Sequence, residues 1–291
     1  MAGAGMRDVK RRIKSVESTM QITKAMQLVA SSKLRRAKER VETARPYFNT
    51  LYETICAMAA GNTDKTNVYT RPREIRRKAY VVIAGDRGLA GGYNINILRY
   101  AESQMDPETA LVIPVGKHAV EYFSHRSEYQ TRVFQEYAEV ESIDLERSFE
   151  LARLLTELFR NGEADEVVLV YTEFASMLSQ VPACRKILPL SFEAEELEGR
   201  STSQTFGAAE FDPSIREIMA RIVPQFVGGM IFGAISESFA SEQAARRTAM
   251  EAASDNAEEM IGSLSLAYNR ARQGAITQEI TEISSGFEAL R

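Results

Sequence analysis

Apolar residues recur along residues 6–45 at Val9, Ile13, Val16, Met20, Thr23, Gln27, Ala30, Leu34, Ala37 and Val41. The spacing alternates four and three, and eight of the ten positions are apolar. That alternation is the heptad seam of a helix lying along another helix. The segment holds no Gly or Pro and is rich in good helix formers. Pro46 predicts a local stop or kink, after which helical composition resumes through "YFNTLYETICAMAA" to Gly61. A second seam follows at the other end: Phe239, Gln243, Arg246, Met250, Ala253, Ala257, Met260, Leu264, Ala267 and Ala271 alternate four and three in the same way. Asp212 is placed to cap this helix with Pro213 at its first position. Pro224 and the Gly228–Gly229–Gly233 cluster predict a weak, bent early section.

Between the two helical arms the pattern changes. Strand-like runs "AYVVIA" (79–84), "ALVIPVG" (110–116), "TRVFQEY" (131–137), "EVVLVY" (166–171) and "CRKILPL" (184–190) alternate with helical stretches around 94–105, 117–126 and 143–160. Such alternation predicts an α/β domain with a largely parallel, doubly wound sheet. The expected organisation is an N-terminal helix over 1–60, a central α/β domain over 75–208 and a C-terminal helix over 211–291. The two helices pair as a long antiparallel coiled coil, with residues 6–59 of the first along the second. Counted flush from the central domain, the longer C-terminal arm overhangs by roughly 26 residues, about 39 Å at 1.5 Å per residue. The overhang keeps an apolar stripe: Ile276, Ile280, Ile283, Phe287 and Leu290. A lone helix so striped is sticky in water, so another protein is expected to sheath it.

Charge sharpens this picture. Residues 6–45 hold twelve Lys/Arg against four Asp/Glu, while residues 210–291 hold seven against twelve, in a chain whose net charge is only −4. The basic arm is compatible with nucleic acid or an anionic surface, but its regular apolar seam favours an acidic protein partner, and no nucleic-acid role is expected. No apolar run approaches the roughly 18–20 residues of a membrane span, and no secretory signal follows the first basic residues. Cys56 and Cys184 stand far apart without zinc or CxxC spacing and read as reduced thiols.

The candidate chemistry is a glycine-rich turn, "VVIAGDRGLAGGYN" (81–94), after the first strand-like run. It matches neither GxxxxGK[ST] nor GxGxxG. Where a dinucleotide fold needs an acid for the ribose, the chain has Gly116, Lys117 and His118. A nucleotide-binding α/β enzyme with helical dimerisation arms is the second reading, and the loop's glycines serve tight packing in the first. His118 and His125, the only histidines, lack a carboxylate cluster and read as surface residues.

Three segments in order carry a resemblance: "ITKAMQLVASSKLRRA" (22–37), "DRGLAGGYNINI" (86–97), and "SEQAARRTAMEAASDNA" with "YNRARQGAITQEITEI" (241–257, 268–283). They are similar to the γ subunit of F-type ATP synthase. The resemblance implies a Rossmann-like central domain and a coiled-coil shaft that turns inside a ring of three α and three β subunits. One copy per complex would join the ε subunit and the membrane c-ring below. Proton flow is then coupled to ATP synthesis by the turning shaft, which has no catalytic residue and binds no cofactor. ATP, ADP and Mg²⁺ sit on the α and β subunits. The implied location is peripheral, on the cytoplasmic face of a bacterial membrane, since no transit peptide and no inserted cysteine pair is seen.

Residue by residue, the resemblance places Lys24 and Met26 against the moving lever of β, with Arg246 opposite on the second helix. Arg272 and Gln273 would engage a loop of β in a catch. Arg35 and Arg36, with Lys33, Lys38 and Arg40, form a basic face suited to acidic levers. Ile276, Ile280, Ile283 and Phe287 would fill the sleeve of the ring. Ala90 stands where many relatives have Cys.

Overall fold

The computed structural model describes residues 2–61, 67–71, 73–190 and 214–288. The elements are α1 (Ala2–Gly61), β1 (Lys78–Ile83), α2 (Tyr93–Gln104), β2 (Ala110–Val115), α3 (Lys117–Ser124), β3 (Gln130–Thr131), α4 (Leu145–Arg160), β4 (Glu166–Phe174), β5 (Gln180–Leu188) and α5 (Ile215–Glu288). They fall into two compact units, Ser32–Ala245, and Met1–Ser31 with Arg246–Arg291.

In the Ser32–Ala245 unit the five strands run in the order β3-β2-β1-β4-β5. β2 and β4 flank β1 in parallel, β3 joins β2 in parallel, and β5 is antiparallel to β4. Only five residues link β4 to β5, too few for the crossover that a parallel neighbour needs. β1 alternates its side chains between two apolar layers, as the period of two requires. Ala79, Val81 and Ile83 enter one layer with Leu151, Leu155 and Phe159 of α4 and with Ile55, Val223, Val227 and Ile231 of the long helices. Tyr80 and Val82 enter the other with Ile97 and Leu98 of α2 and Ala119 and Phe123 of α3. Helices thus cover both faces, the doubly wound arrangement expected of a mainly parallel sheet. Asp144 caps α4 by accepting from the Arg147 backbone N–H at 3.0 Å.

The expected strand over 131–137 is largely absent. Only Gln130–Thr131 pair with β2, and Gln135–Tyr137 forms a 3₁₀ turn. Tyr137 is buried there, and its carbonyl accepts from the Gly116 N–H at 3.1 Å, so the chain turns inward instead of extending the edge. Pro46 does not end the helix, which runs through it. The position is exposed, so the carbonyl it leaves unbonded can be hydrated. Nor do the glycines near 230 mark a break in α5. A Cβ on Gly228 would fall 2.2 Å from Phe149 Cδ1, and one on Gly229 2.1 Å from Phe48 Cδ1. These glycines let aromatic rings of α4 and α1 lie directly on the helix backbone. The same section gives α5 an 18-residue window apolar enough by length and composition to cross a membrane, contrary to expectation. Half of that window is buried, and Val223, Phe226, Val227, Ile231 and Ile235 belong to the sheet's core. The proposed cap at Asp212 and Pro213 lies outside the described residues.

Within this unit the long helices run antiparallel. Leu34 and Ala37 pack with Ala240 and Ala244, Phe48 with Phe232, and Tyr52 stacks on Phe226 at 5.5 Å. In the other unit the Thr23 and Ser254 hydroxyls meet at 2.6 Å. Every seam position expected on α1 is buried or half-buried. On α5 two are not: Met260 is 52% exposed and Ala267 is exposed, while Ile261 and Tyr268 take their places. A 4–3 alternation fits either phase where neighbours are both apolar, as at Met260–Ile261, and packing chooses between them. From the Thr23–Ser254 pair, α1 continues 21 residues to Ala2 and α5 continues 34 to Glu288. The overhang is therefore about 13 residues, ~20 Å, and not 26, because α1 begins earlier than Met6 and the register is set inside the seam.

Candidate partner-contact surface and the glycine loop

The glycine turn between β1 and α2 is tied up by the chain itself. The Asp86 carboxylate accepts backbone N–H groups from Lys117 at 3.2 Å, Val140 at 3.0 Å and Glu141 at 3.0 Å. The amide end of Asn94 spans the turn, accepting from Gly85 N–H at 2.9 Å and donating to the Arg87 carbonyl at 3.3 Å. Gly116, at φ +94°, sits against the Ala84 carbonyl so closely that a Cβ would fall 2.1 Å from it. On the other side α5 presses in. A Cβ on Gly85 would lie 2.8 Å from the Glu242 carboxyl carbon, and Glu242 is buried.

Two more anchors fix α5 beside the turn. Tyr93 donates its hydroxyl proton to the Ser238 carbonyl at 2.9 Å. Ser238 Oγ accepts from the Thr172 N–H at 3.1 Å, and Ser241 Oγ donates to the Thr172 carbonyl at 3.2 Å. The carboxyl end of the parallel strands, where an α/β fold holds its ligand, thus holds a helix and two carboxylates. A phosphate entering there would meet Asp86 and Glu242 before any free N–H. This argues against the nucleotide reading of the loop. Among the described residues no group of three or more His, Cys, Asp or Glu is placed to hold a metal ion. His125 is exposed and His118 half-buried.

The anchoring residues Asp86, Tyr93, Ser238, Ser241 and Glu242 were not singled out from the sequence. The signal for them is small polar residues one turn apart in an otherwise apolar helix stretch. Nearby, burial and the charge of Glu173 push the Glu237 carboxyl above its ordinary range, against the pull of Arg185, the Phe174 N–H and Arg45. Lys117 is held above its ordinary value by its hydrogen bond to Glu139, at 2.6 Å.

The residues expected to touch partners spread over both helices. Lys24, Arg35, Arg36, Arg272 and Gln273 are exposed, and Met26 is half-buried. Ile276, Ile280 and Ile283 are 48%, 62% and 65% exposed on the far part of α5, and the Phe287 side chain lies outside the described residues. Arg246 is only 7% exposed, within a run of buried polar residues that includes Glu242, Gln243 and Ser254. Of the basic face, Lys33 pairs with Glu141, Arg35 with Glu39 at 3.7 Å, and Lys38 lies 4.4 Å from the Phe174 ring centre. Arg36 and Arg40 are exposed.

The far part of α5 leaves an apolar stripe exposed, and within the Ser32–Ala245 unit the glycine turn is occupied by the chain's own groups. The family model described as ATP synthase matches residues 5–290. The ATP synthase gamma chain of Ruminococcus albus is 50% identical over 287 residues, covering 97% of each chain. The chain belongs to the ATP synthase gamma-chain family. The sodium-ion-specific gamma chain of Acetobacterium woodii is 42% identical over 300 residues, with 98% of each covered. Two solved structures share the fold. A chain of Euglena gracilis mitochondrial ATP synthase (OSCP/F1/c-ring, rotational state 3) gives a TM-score of 0.66 at 22% identity, covering 99% of this chain and 95% of that one. A chain from the central stalk/c-ring of the Tetrahymena thermophila enzyme gives 0.61 at 21%, covering 80% and 99%. As a gamma chain it is a subunit of ATP synthase, a membrane-associated complex.

Proposed function

We propose that this gamma chain is the turning shaft of its complex. One copy sits in a ring of three α and three β subunits, with ε and the membrane c-ring at its foot on the cytoplasmic face. The observation that supports this most is the exposed Ile276–Ile280–Ile283 stripe on a part of α5 that α1 does not reach. Left in water, such a stripe is a liability, and an apolar sleeve turns it into a bearing. Arg36, Lys24 and the Arg272–Gln273 pair offer charge and hydrogen bonds at defined angles around the helices. Each angle then stabilises a different set of β conformations by differential contact, which is how rotation couples ion flow to ATP synthesis. Nucleotide and Mg²⁺ belong to the ring subunits in this reading, and the chain supplies no catalytic group.

The test is Arg272→Ala with Gln273→Ala in the reconstituted complex. Weakened coupling or ATPase activity is expected, with unchanged melting of the isolated chain. Wild-type turnover would remove these two residues from the catch.

A further inference from the structure

An open cleft of about 530 Å³ lies in the Ser32–Ala245 unit between α4 and the early turns of α5, and Tyr47 and Tyr69 also line it. Its volume is in the range of roughly 300–1,000 Å³ typical of small-ligand sites. Three guanidinium groups line it, those of Arg153, Arg160 and Arg221, against the one carboxylate of Glu157. None of the three has an ion pair or side-chain hydrogen bond among the described residues, whereas Arg126, Arg132 and Arg76 elsewhere in the unit are each paired with a glutamate. At the wall lies Tyr69, only 4% exposed, its ring stacked on Phe159 and its hydroxyl without a hydrogen-bond partner among the described residues. The hydroxyl oxygen is open to the cleft rather than buried, since Thr172 Oγ1 is the buried side-chain oxygen left unpartnered among the described residues.

Forked guanidinium donors, a waiting hydroxyl and an excess of positive charge suit a compact multivalent oxyanion better than a carboxylic acid or an apolar ligand. We propose that this cleft binds a phosphate group, with Arg153, Arg160 and Arg221 as its ligands and the Tyr69 hydroxyl as a further donor. The chemistry is shared by a soluble diphosphate and by the headgroup of an anionic phospholipid, and a subunit of a membrane-associated complex meets both. The cleft is separate from the glycine turn, so its occupancy is independent of the shaft reading.

The experiment is calorimetric titration of the full chain with inorganic pyrophosphate, alongside flotation with phosphatidylcholine vesicles made with or without phosphatidylglycerol. Saturable pyrophosphate binding that weakens about tenfold in Arg153→Ala and in Arg221→Ala supports a soluble phosphate as the ligand. Flotation that requires phosphatidylglycerol and is lost in the same variants supports a lipid headgroup. Arg→Lys at either position is expected to recover part of the binding, and Tyr69→Phe, which keeps the ring packing, to weaken it several-fold. Absence of binding to both probes overturns the proposal. So does equal weakening by Arg76→Ala, which would reduce the effect to surface charge.

Discussion

Phe48 of α1 lies where a side chain at position 229 of α5 would have to be: its ring carbons come within 2.1 and 2.2 Å of a Cβ built there. The absent methyl is therefore part of the helix–helix contact. Gly229→Ala gains about 1 kcal/mol of helix propensity and meets an overpacking cost of about 1–3 kcal/mol. A net loss is expected, read as a melting temperature several degrees lower for the full chain. Gly233→Ala is the control. Nothing lies within 4 Å of that Cβ, so propensity alone acts and the melting temperature stays level or rises.

The turn at Gly85–Gly92 depends on one carboxylate. Asp86 satisfies three backbone N–H groups drawn from two separate segments. Asp86→Ala leaves those donors to water or to nothing, at a cost of about 2–3 kcal/mol. Urea unfolding should show a lower midpoint with an unchanged slope. Asp86→Asn is expected to fall between, since an amide accepts on one side only.

Much of this arrangement is legible from the pattern of residues. The 4–3 seam of α1 predicts its buried positions one by one, and the apolar runs locate β1, β2 and β4 because a sheet buried on both faces leaves little polar interruption. The seam of α5 is harder to read, since Met260–Ile261 fits either phase. Glycine reads as flexibility in the sequence, whereas at Gly228 and Gly229 it marks a close approach by rings distant in the chain. The closure of the turn by Asp86, Tyr93, Ser238 and Glu242 depends on contacts across more than thirty positions, which no local pattern carries. The exposed stripe at Ile276, Ile280 and Ile283 is legible because its period continues past the end of its partner.

In the unit of Met1–Ser31 and Arg246–Arg291 the long helices share a buried polar pair that a purely apolar seam would not need. Thr23 and Ser254 share a hydrogen bond at 2.6 Å, and each hydroxyl also reaches a carbonyl of its own helix, Met20 at 3.0 Å and Met250 at 2.9 Å. A polar pair of this kind sets register more than stability. Thr23→Val and Ser254→Ala alone should each cost about 1 kcal/mol, since the hydroxyl left behind keeps the carbonyl of its own helix, and the double variant less than their sum. A coupling energy indistinguishable from zero in the double-mutant cycle would mean the pair contributes nothing to the seam.

Acid–base behaviour should expose the two carboxylates at the end of β4. Glu237 is pushed above the ordinary glutamate value of 4.5 by burial first and by Glu173 second, while Arg185, the Phe174 N–H and Arg45 act the other way. Glu173 in turn accepts a hydrogen bond from the Tyr171 hydroxyl at 3.0 Å, which keeps it beside Glu237. Because the folded chain holds the Glu237 proton more tightly than the unfolded one, ionising this group costs stability. The cost is absent below the unfolded value, grows as pH climbs from there through the raised folded value, and is complete above it. Glu237→Gln keeps an oxygen for the Phe174 N–H and removes the charge. The variant should melt at the same temperature as wild type near pH 4 and at a higher one at pH 8, with the gap opening between. A gap that stays constant across that range would assign the effect to packing and not to the carboxylate pair.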